Sequence, residues 1–142
     1  MEQKTNWLAI LVAVLAAFFV GFMWYGVLFQ GQWMAGNGIT MQGDMAYKDG
    51  VQMSGSMAPM FVNIAAMAVY ALFINWLITR LGTTSWLEGA KTGGVVGLIM
   101  AIGELTANLF AANPMSLTMV DGSYSIVLFA VIGAIVGGWR KK

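Results

Sequence analysis

Glu104 is the residue with the most chemical potential in this chain. It sits in an apolar stretch, 93–112, that is long enough to cross a bilayer. An acid held charged in the middle of a hydrocarbon-embedded helix costs about 3 kcal/mol or more. It must therefore be neutral, paired or hydrated. Asn108, at i+4, falls on the same helical face. Asn63 belongs to the same half of a neighbouring apolar stretch, so Glu104, Asn108 and Asn63 form a candidate intramembrane polar cluster. The functional reading is a proton- or cation-linked site. The plainer reading is a protonated Glu104 that donates to a neighbouring helix, with Asn63 as the favoured partner and Asn108 as the fallback.

Little else could do chemistry. The chain has no Cys and no His, which removes disulfides, thiolate nucleophiles, imidazole catalysis and the common zinc sites. Met41 and Met45, with Met53, Met57 and Met60, could offer thioethers to Cu(I). Without His or Cys beside them they read as flexible gap fillers. No phosphate loop, nucleophile elbow or metal motif is present. The expectation is no catalytic residue, no metal, no cofactor and no enzyme. A net charge of +1 gives no basic surface for nucleic acid.

The elements around Glu104 must be membrane helices. Of 142 residues, 59% are hydrophobic and 9% charged, where a soluble domain carries about 25% charged. Lipid is the solvent that suits this surface. Spanning helices need about 20 apolar residues, and four stretches qualify: 7–29, 59–79, 88–112 and 123–139. None alternates as barrel strands do. The fold class expected is all-α, a single four-helix transmembrane domain. The first stretch is too long for a signal h-region and reads as a retained helix. Asp121 or Ser123 is expected to cap the fourth helix.

Orientation follows the Lys and Arg residues. Lys4, Arg80, Lys91, Arg140, Lys141 and Lys142 fall on one side and Lys48 on the other. Both termini are then cytoplasmic, and the long Met- and Gly-rich connection 30–58 lies outside the cytoplasm. Its length points to function or to a short surface helix. Trp7, Trp24, Tyr25, Trp33 and Trp139 read as interface anchors, because rings with one polar edge prefer the headgroup level. Small residues at fourfold spacing mark helix seams: Ala13, Ala17 and Gly21, then Gly93 and Gly97, then Gly133 and Gly137. In lipid, helices associate by close backbone approach.

One set of residues carries a resemblance. Asn6-Trp7 opens an Ala-rich helix that ends in Gly21-Phe22-Met23-Trp24-Tyr25-Gly26, followed by Phe29 and Trp33. Later come Ala107-Asn108-Leu109-Phe110 and Met119-Val120-Asp121-Gly122-Ser123-Tyr124, then Gly133-Ala134-Ile135 before a basic tail. Over nearly its whole length the chain resembles the small bacterial membrane proteins called domain of unknown function 1761. The resemblance implies a four-helix integral membrane protein and no established activity. In that family's pattern the position of Glu104 is usually apolar or small, and the connection 36–57 is shorter.

The reading that results is a non-enzymatic protein of the bacterial inner membrane. Its partners are the lipid bilayer and either further copies of itself or other membrane subunits, for which it would be an accessory subunit. The alternative is a small oligomeric transporter or channel that uses the Glu104/Asn108 face. Four helices rarely enclose a pathway alone, so that alternative needs oligomerisation.

Overall fold

A computed structural model describes residues 4–140. Lys141 and Lys142, counted in the charge asymmetry, lie outside the described residues. Four helices are long and apolar enough to cross a membrane. The first is α1, Trp7–Gly21, which continues without a break as a π-helical segment, Phe22–Leu28. The others are α3, Ala58–Leu81, α4, Trp86–Phe110, and α5, Met115–Gly138. Between the first and second spans lie a short helix α2, Gln30–Gly36, and three strands, β1 Ile39–Gln42, β2 Met45–Lys48 and β3 Val51–Gln52. The strands form an antiparallel sheet in the order β1-β2-β3.

The ends of the spans are set by local chemistry. Asn6 caps α1 by accepting from the Ala9 amide, and Ser85 caps α4 by accepting from the Glu88 amide. Both side chains satisfy N–H groups that have no partner within the helix. Gly82 ends α3 in the left-handed conformation, φ 67°, which glycine adopts without steric cost.

The fourth span departs from the sequence reading. Asp121-Gly122-Ser123 has turn chemistry, and the helix was expected from 123 with Asp121 or Ser123 as cap. It begins at Met115 instead, directly after Pro114. Proline cannot continue a helix but readily precedes one, so Asn113-Pro114 is the break and nothing after it stops propagation. The turn itself is closed by Asn113, whose amide nitrogen donates to the Asn108 carbonyl oxygen of the side chain at 2.8 Å. Asp121 therefore lies inside a span, not at its mouth.

The connection 30–58 is also more structured than a surface helix alone. Gly43 and Gly50 have positive φ, as has Asp49, which suits the tight two-residue turns that join twisted strands. The helix α2 packs on α5, where a Cβ added to Gly36 would meet the Leu117 Cβ at 2.7 Å.

The helix α5 is the centre of the bundle, with α1, α3 and α4 all packed on it. On the α1–α3 side the core is made of side chains: Ala13, Ala17, Met67, Ala71, Ile74, Phe129 and Ile132. On the α4 side it is made of backbone. A Cβ on Gly97 would stand 2.5 Å from the Ser125 carbonyl oxygen, and one on Gly137 would stand 2.7 Å from that of Ser85. Gly89, Gly93 and Gly133 are held closer still to the opposite backbone. No side chain larger than hydrogen fits these positions, and dispersion across the close contact holds the pair together. Among the described residues α4 packs chiefly on α5 and makes a small contact with α3.

One end of the bundle gathers Lys4, Arg80, Lys91 and Arg140, and Lys48 sits on the strands at the other. At the cationic end the Asn6 side-chain amide donates to the Trp139 carbonyl at 2.9 Å. Arg140 donates to the carbonyls of Ile78 and Thr83 and to the Thr79 hydroxyl. These bonds tie α1 and the end of α3 to the end of α5.

Two glycines of α4 separate seam from lipid face. A Cβ on Gly103 would meet nothing within 4 Å. Gly97→Ala is expected to lower the melting temperature in mild detergent, since the Ser125 backbone must move. Gly103→Ala is expected to raise stability by about 0.5–1 kcal/mol through helix propensity alone. Equal shifts from the two substitutions would show that the α4–α5 contact is not backbone-tight.

Candidate functional site

The site is built from three elements: the π-helical segment of the first span, α4 and α5. A π turn is wider than an α turn, is rare, and is frequently found at functional sites. Here it turns Trp24 and Tyr25 toward α5. The Trp24 indole N–H donates to the Val120 carbonyl at 3.1 Å, and the Tyr25 hydroxyl donates to Asp121 Oδ1 at 3.0 Å. The sequence reading made both residues interface anchors. Their polar ends instead bond into the bundle. Trp33 packs its ring 5.7 Å from that of Tyr25, and Trp7 and Trp139 remain exposed at the opposite end.

The glycine seam sets what lies above it. The helices α4 and α5 run antiparallel, so positions step in opposite directions by fours. Beyond Gly97 and Ser125 the contact relaxes, and Ala101 stands 3.4 Å from a Cβ placed on Gly122. One turn further the side chains are polar. The Ser125 hydroxyl donates to Glu104 Oε1 at 2.7 Å. The Asn108 amide reaches Asp121 Oδ2 at 3.5 Å, the outer limit for such a bond. Asp121 thus receives Tyr25 on one oxygen and Asn108 on the other. Glu104 Oε2 is buried and has no hydrogen-bond partner among the described residues.

Glu104 and Asn108 are therefore joined in one ladder, but through Asp121 and Ser125 on α5. Asn63 is not part of it. It is exposed on α3 and lines a separate cleft with Tyr25 and Tyr124. The expected Glu104–Asn63 bond is absent from the structure, because α3 packs on α5 and α1 and barely touches α4. The sequence does not show Asp121 as a member of the site because a fourth helix starting at 123 leaves it outside the membrane. It does not show Ser125, which lies inside that stretch, because nothing in it says which helix faces Glu104. The run after Pro114, with no further breaker, was the available signal.

The depth of the site follows from helix geometry. Glu104 precedes the end of α4, and Asp121 follows the start of α5, by about 9 Å each at 1.5 Å per residue. Each of these helices is about 36 Å long, against a hydrocarbon core of about 30 Å. Both acids then fall inside the hydrocarbon, near the end of the bundle that carries α2 and the strands. The ion pair among the described residues is Lys91–Glu88, at 2.7 Å, and it lies at the other end. No group of three or more acidic, His or Cys side chains that could hold a metal ion is found among the described residues. The small-residue positions fall as follows. Ala13 and Ala17 are wholly buried in the side-chain core, Gly21 faces the Tyr124 hydroxyl, and Gly93, Gly97, Gly133 and Gly137 line the α4–α5 seam.

Comparison with known proteins adds a family and little else. A family profile described as "Protein of unknown function (DUF1761)" matches residues 8–137. A UPF0284 protein of Microcystis aeruginosa is 35% identical over 78 residues, which is 55% of this chain and 19% of that protein. The chain thus spans about a fifth of that curated relative's length. No solved structure matches.

The Tyr25–Asp121 bond is open to a double-mutant cycle. Tyr25→Phe and Asp121→Ala are each expected to destabilise the protein in detergent. Their coupling should be about 0.6–2 kcal/mol, the range for a hydrogen bond between membrane helices. Strictly additive losses would mean that the two side chains do not interact.

Proposed function

The chain belongs to the DUF1761 family, and on that footing we propose that it is a non-enzymatic carrier module of the bacterial cytoplasmic membrane. In this reading it takes up protons at Glu104 and Asp121 and is complete only as an assembly of subunits. The observation that carries the reading is the unpartnered, buried Oε2 of Glu104. Two carboxyl groups stand in the hydrocarbon region, and no cationic side chain pairs with either among the described residues. An acid so placed has to be neutralised from outside the protein. The proton is favoured over a metal ion, since the ladder offers no third acidic ligand. Ser125 orients the Glu104 carboxyl group, Asn108 and Tyr25 orient that of Asp121, and Asp121 is the second acid.

The orientation belongs to the same proposal. The gathering of Lys4, Arg80, Lys91 and Arg140 at one end supports a cytoplasmic placement of that end. The acid ladder would then open to the outside, beneath α2 and the strands. The assembly is supported by α4, whose outward face of Val95, Leu98, Ile99 and Ile102 is exposed and without a partner among the described residues. That face suits a second copy or a different membrane subunit.

Two measurements test this. The chain has no Cys, so Lys48→Cys can be probed cleanly. Labelling by an impermeant thiol reagent in intact cells is expected, and labelling of Arg80→Cys instead would reverse the orientation. For proton uptake, proteoliposomes containing a pH-sensitive dye are given an outside acid step. The parent protein should admit protons faster than empty vesicles. Glu104→Gln should lose most of this flux while melting like the parent, because Gln keeps the shape and still accepts from Ser125. Undiminished flux in Glu104→Gln would remove the proton reading and leave the accessory-subunit one.

A further inference from the structure

A second cavity stands apart from the acid ladder. It is a cleft of about 580 Å³ between the first span, the start of α3 and Tyr124 of α5, within the size range of small-molecule sites. We propose that this cleft binds an apolar chain bearing one uncharged carbonyl group, which enters from the bilayer. The proposal does not rest on the proton reading.

The walls are apolar and aromatic: Phe18, Phe22, Trp33 and Met60. No charged residue lines the cleft, so an ionised headgroup would find no counter-charge there. Two polar groups do face it. Asn63 and Tyr124 make no side-chain hydrogen bond among the described residues, whereas the neighbouring Tyr25 hydroxyl is committed to Asp121. Asn63 lies about 8 Å into α3, at 1.5 Å per residue. At that depth little water is available to satisfy an amide or a phenol. An unpartnered polar group in hydrocarbon carries a penalty that a ligand can remove.

The chemistry of the two groups selects the ligand. The phenol offers an O–H and the amide offers N–H groups, so both can donate. A carbonyl oxygen has two lone pairs and accepts from two donors at once. The apolar remainder of the molecule would lie against Phe18, Phe22 and Met60. The Trp33 indole, which lines the cleft and packs on Tyr25, would report its arrival. The position of the cleft between two helices at the bundle surface gives entry from the lipid side. Ester carbonyls of bilayer lipids and free carbonyl-bearing lipophiles share this chemistry.

The test uses the full chain in nanodiscs of ether-linked phosphatidylcholine, which has no ester carbonyl. Methyl oleate is titrated as the probe, with octadecene as the chain lacking a carbonyl. Methyl oleate should shift tryptophan emission saturably and raise the melting temperature, and Trp33→Phe should remove most of the emission change. Tyr124→Phe and Asn63→Leu should each weaken binding about fivefold to tenfold, as one lost hydrogen bond does. Both variants should melt like the parent without probe, which separates lost binding from lost folding. Repeating the titration in ester-linked phosphatidylcholine identifies the source. A suppressed response assigns the cleft to bilayer esters, and a retained one assigns it to a free lipophile. An equal response to octadecene, or unchanged affinity in both Tyr124→Phe and Asn63→Leu, overturns the proposal.

Discussion

The contact on which the rest depends is the backbone-to-backbone approach of α4 and α5. In water, burial of apolar side chains would drive these helices together. In hydrocarbon the lipid tails are as apolar as leucine, so that drive is absent. What remains is dispersion at short range, and it needs surfaces without Cβ atoms in the way. Gly89, Gly93 and Gly97 on one helix, with Gly133 and Gly137 on the other, supply such surfaces. Glycine in a helix interior is otherwise unfavourable by about 1 kcal/mol. The seam therefore has to return more than it costs, and its length over several turns makes that possible.

The seam also fixes register. Each seam glycine must fall against the backbone of the other helix, because a Cβ there would collide with it. With Gly89 against Gly133 and Gly97 against Ser125, Glu104 and Asn108 stand further along α4, and their side chains meet Ser125 and Asp121 on α5. The polar ladder thus continues the apolar seam. The first span joins it by a different device. A straight α-helix has one residue set facing α5, and the wider π turns of Phe22–Leu28 change which side chains point there. Trp24 and Tyr25 then bond to Val120 and Asp121, and these bonds offset the poorer geometry of the π segment.

Much of this was legible in the sequence, and the exceptions have physical causes. Hydropathy alone gives the four spans, because each must cover about 30 Å of hydrocarbon. Glu104 stands out because an acid in such a span is costly. Its partner was not legible: several helices could have met it, and Asn63 was as polar a candidate as Ser125. Pairing depends on which helix is central, and periodicity does not encode that. Asp121 was misplaced because Asp-Gly-Ser is common turn chemistry, while the stronger break, Asn113-Pro114, stands just before Met115. The strands in the 30–58 connection carried a signal in Gly43-Asp44 and Asp49-Gly50, each between short strand-length runs, which is the hairpin pattern. Trp24 and Tyr25 looked like belt residues because composition shows where a ring lies along a span but not which way it points.

The structure of the seam constrains how any proton could proceed beyond Glu104. Below the ladder, from Gly97 and Ser125 toward Gly137, the facing backbones leave no room for water or a side chain at the seam glycines. The route along α4–α5 therefore ends one turn beyond the acids. On the α1–α3 side the path is closed by the buried Met67, Ile74, Phe129 and Ile132, which offer no oxygen or nitrogen. The remaining side is the outward face of α4, where Glu104 is only partly covered but the residues nearer the cationic end are Ile99, Leu98 and Val95. Lipid on that face would stop a proton as firmly as the glycine seam does. A crossing then requires a second polypeptide to bring polar groups or water against α4. Transport and assembly are in this way one hypothesis: the acid ladder of a single chain is a dead-end site, and only a neighbour on α4 could make it a passage.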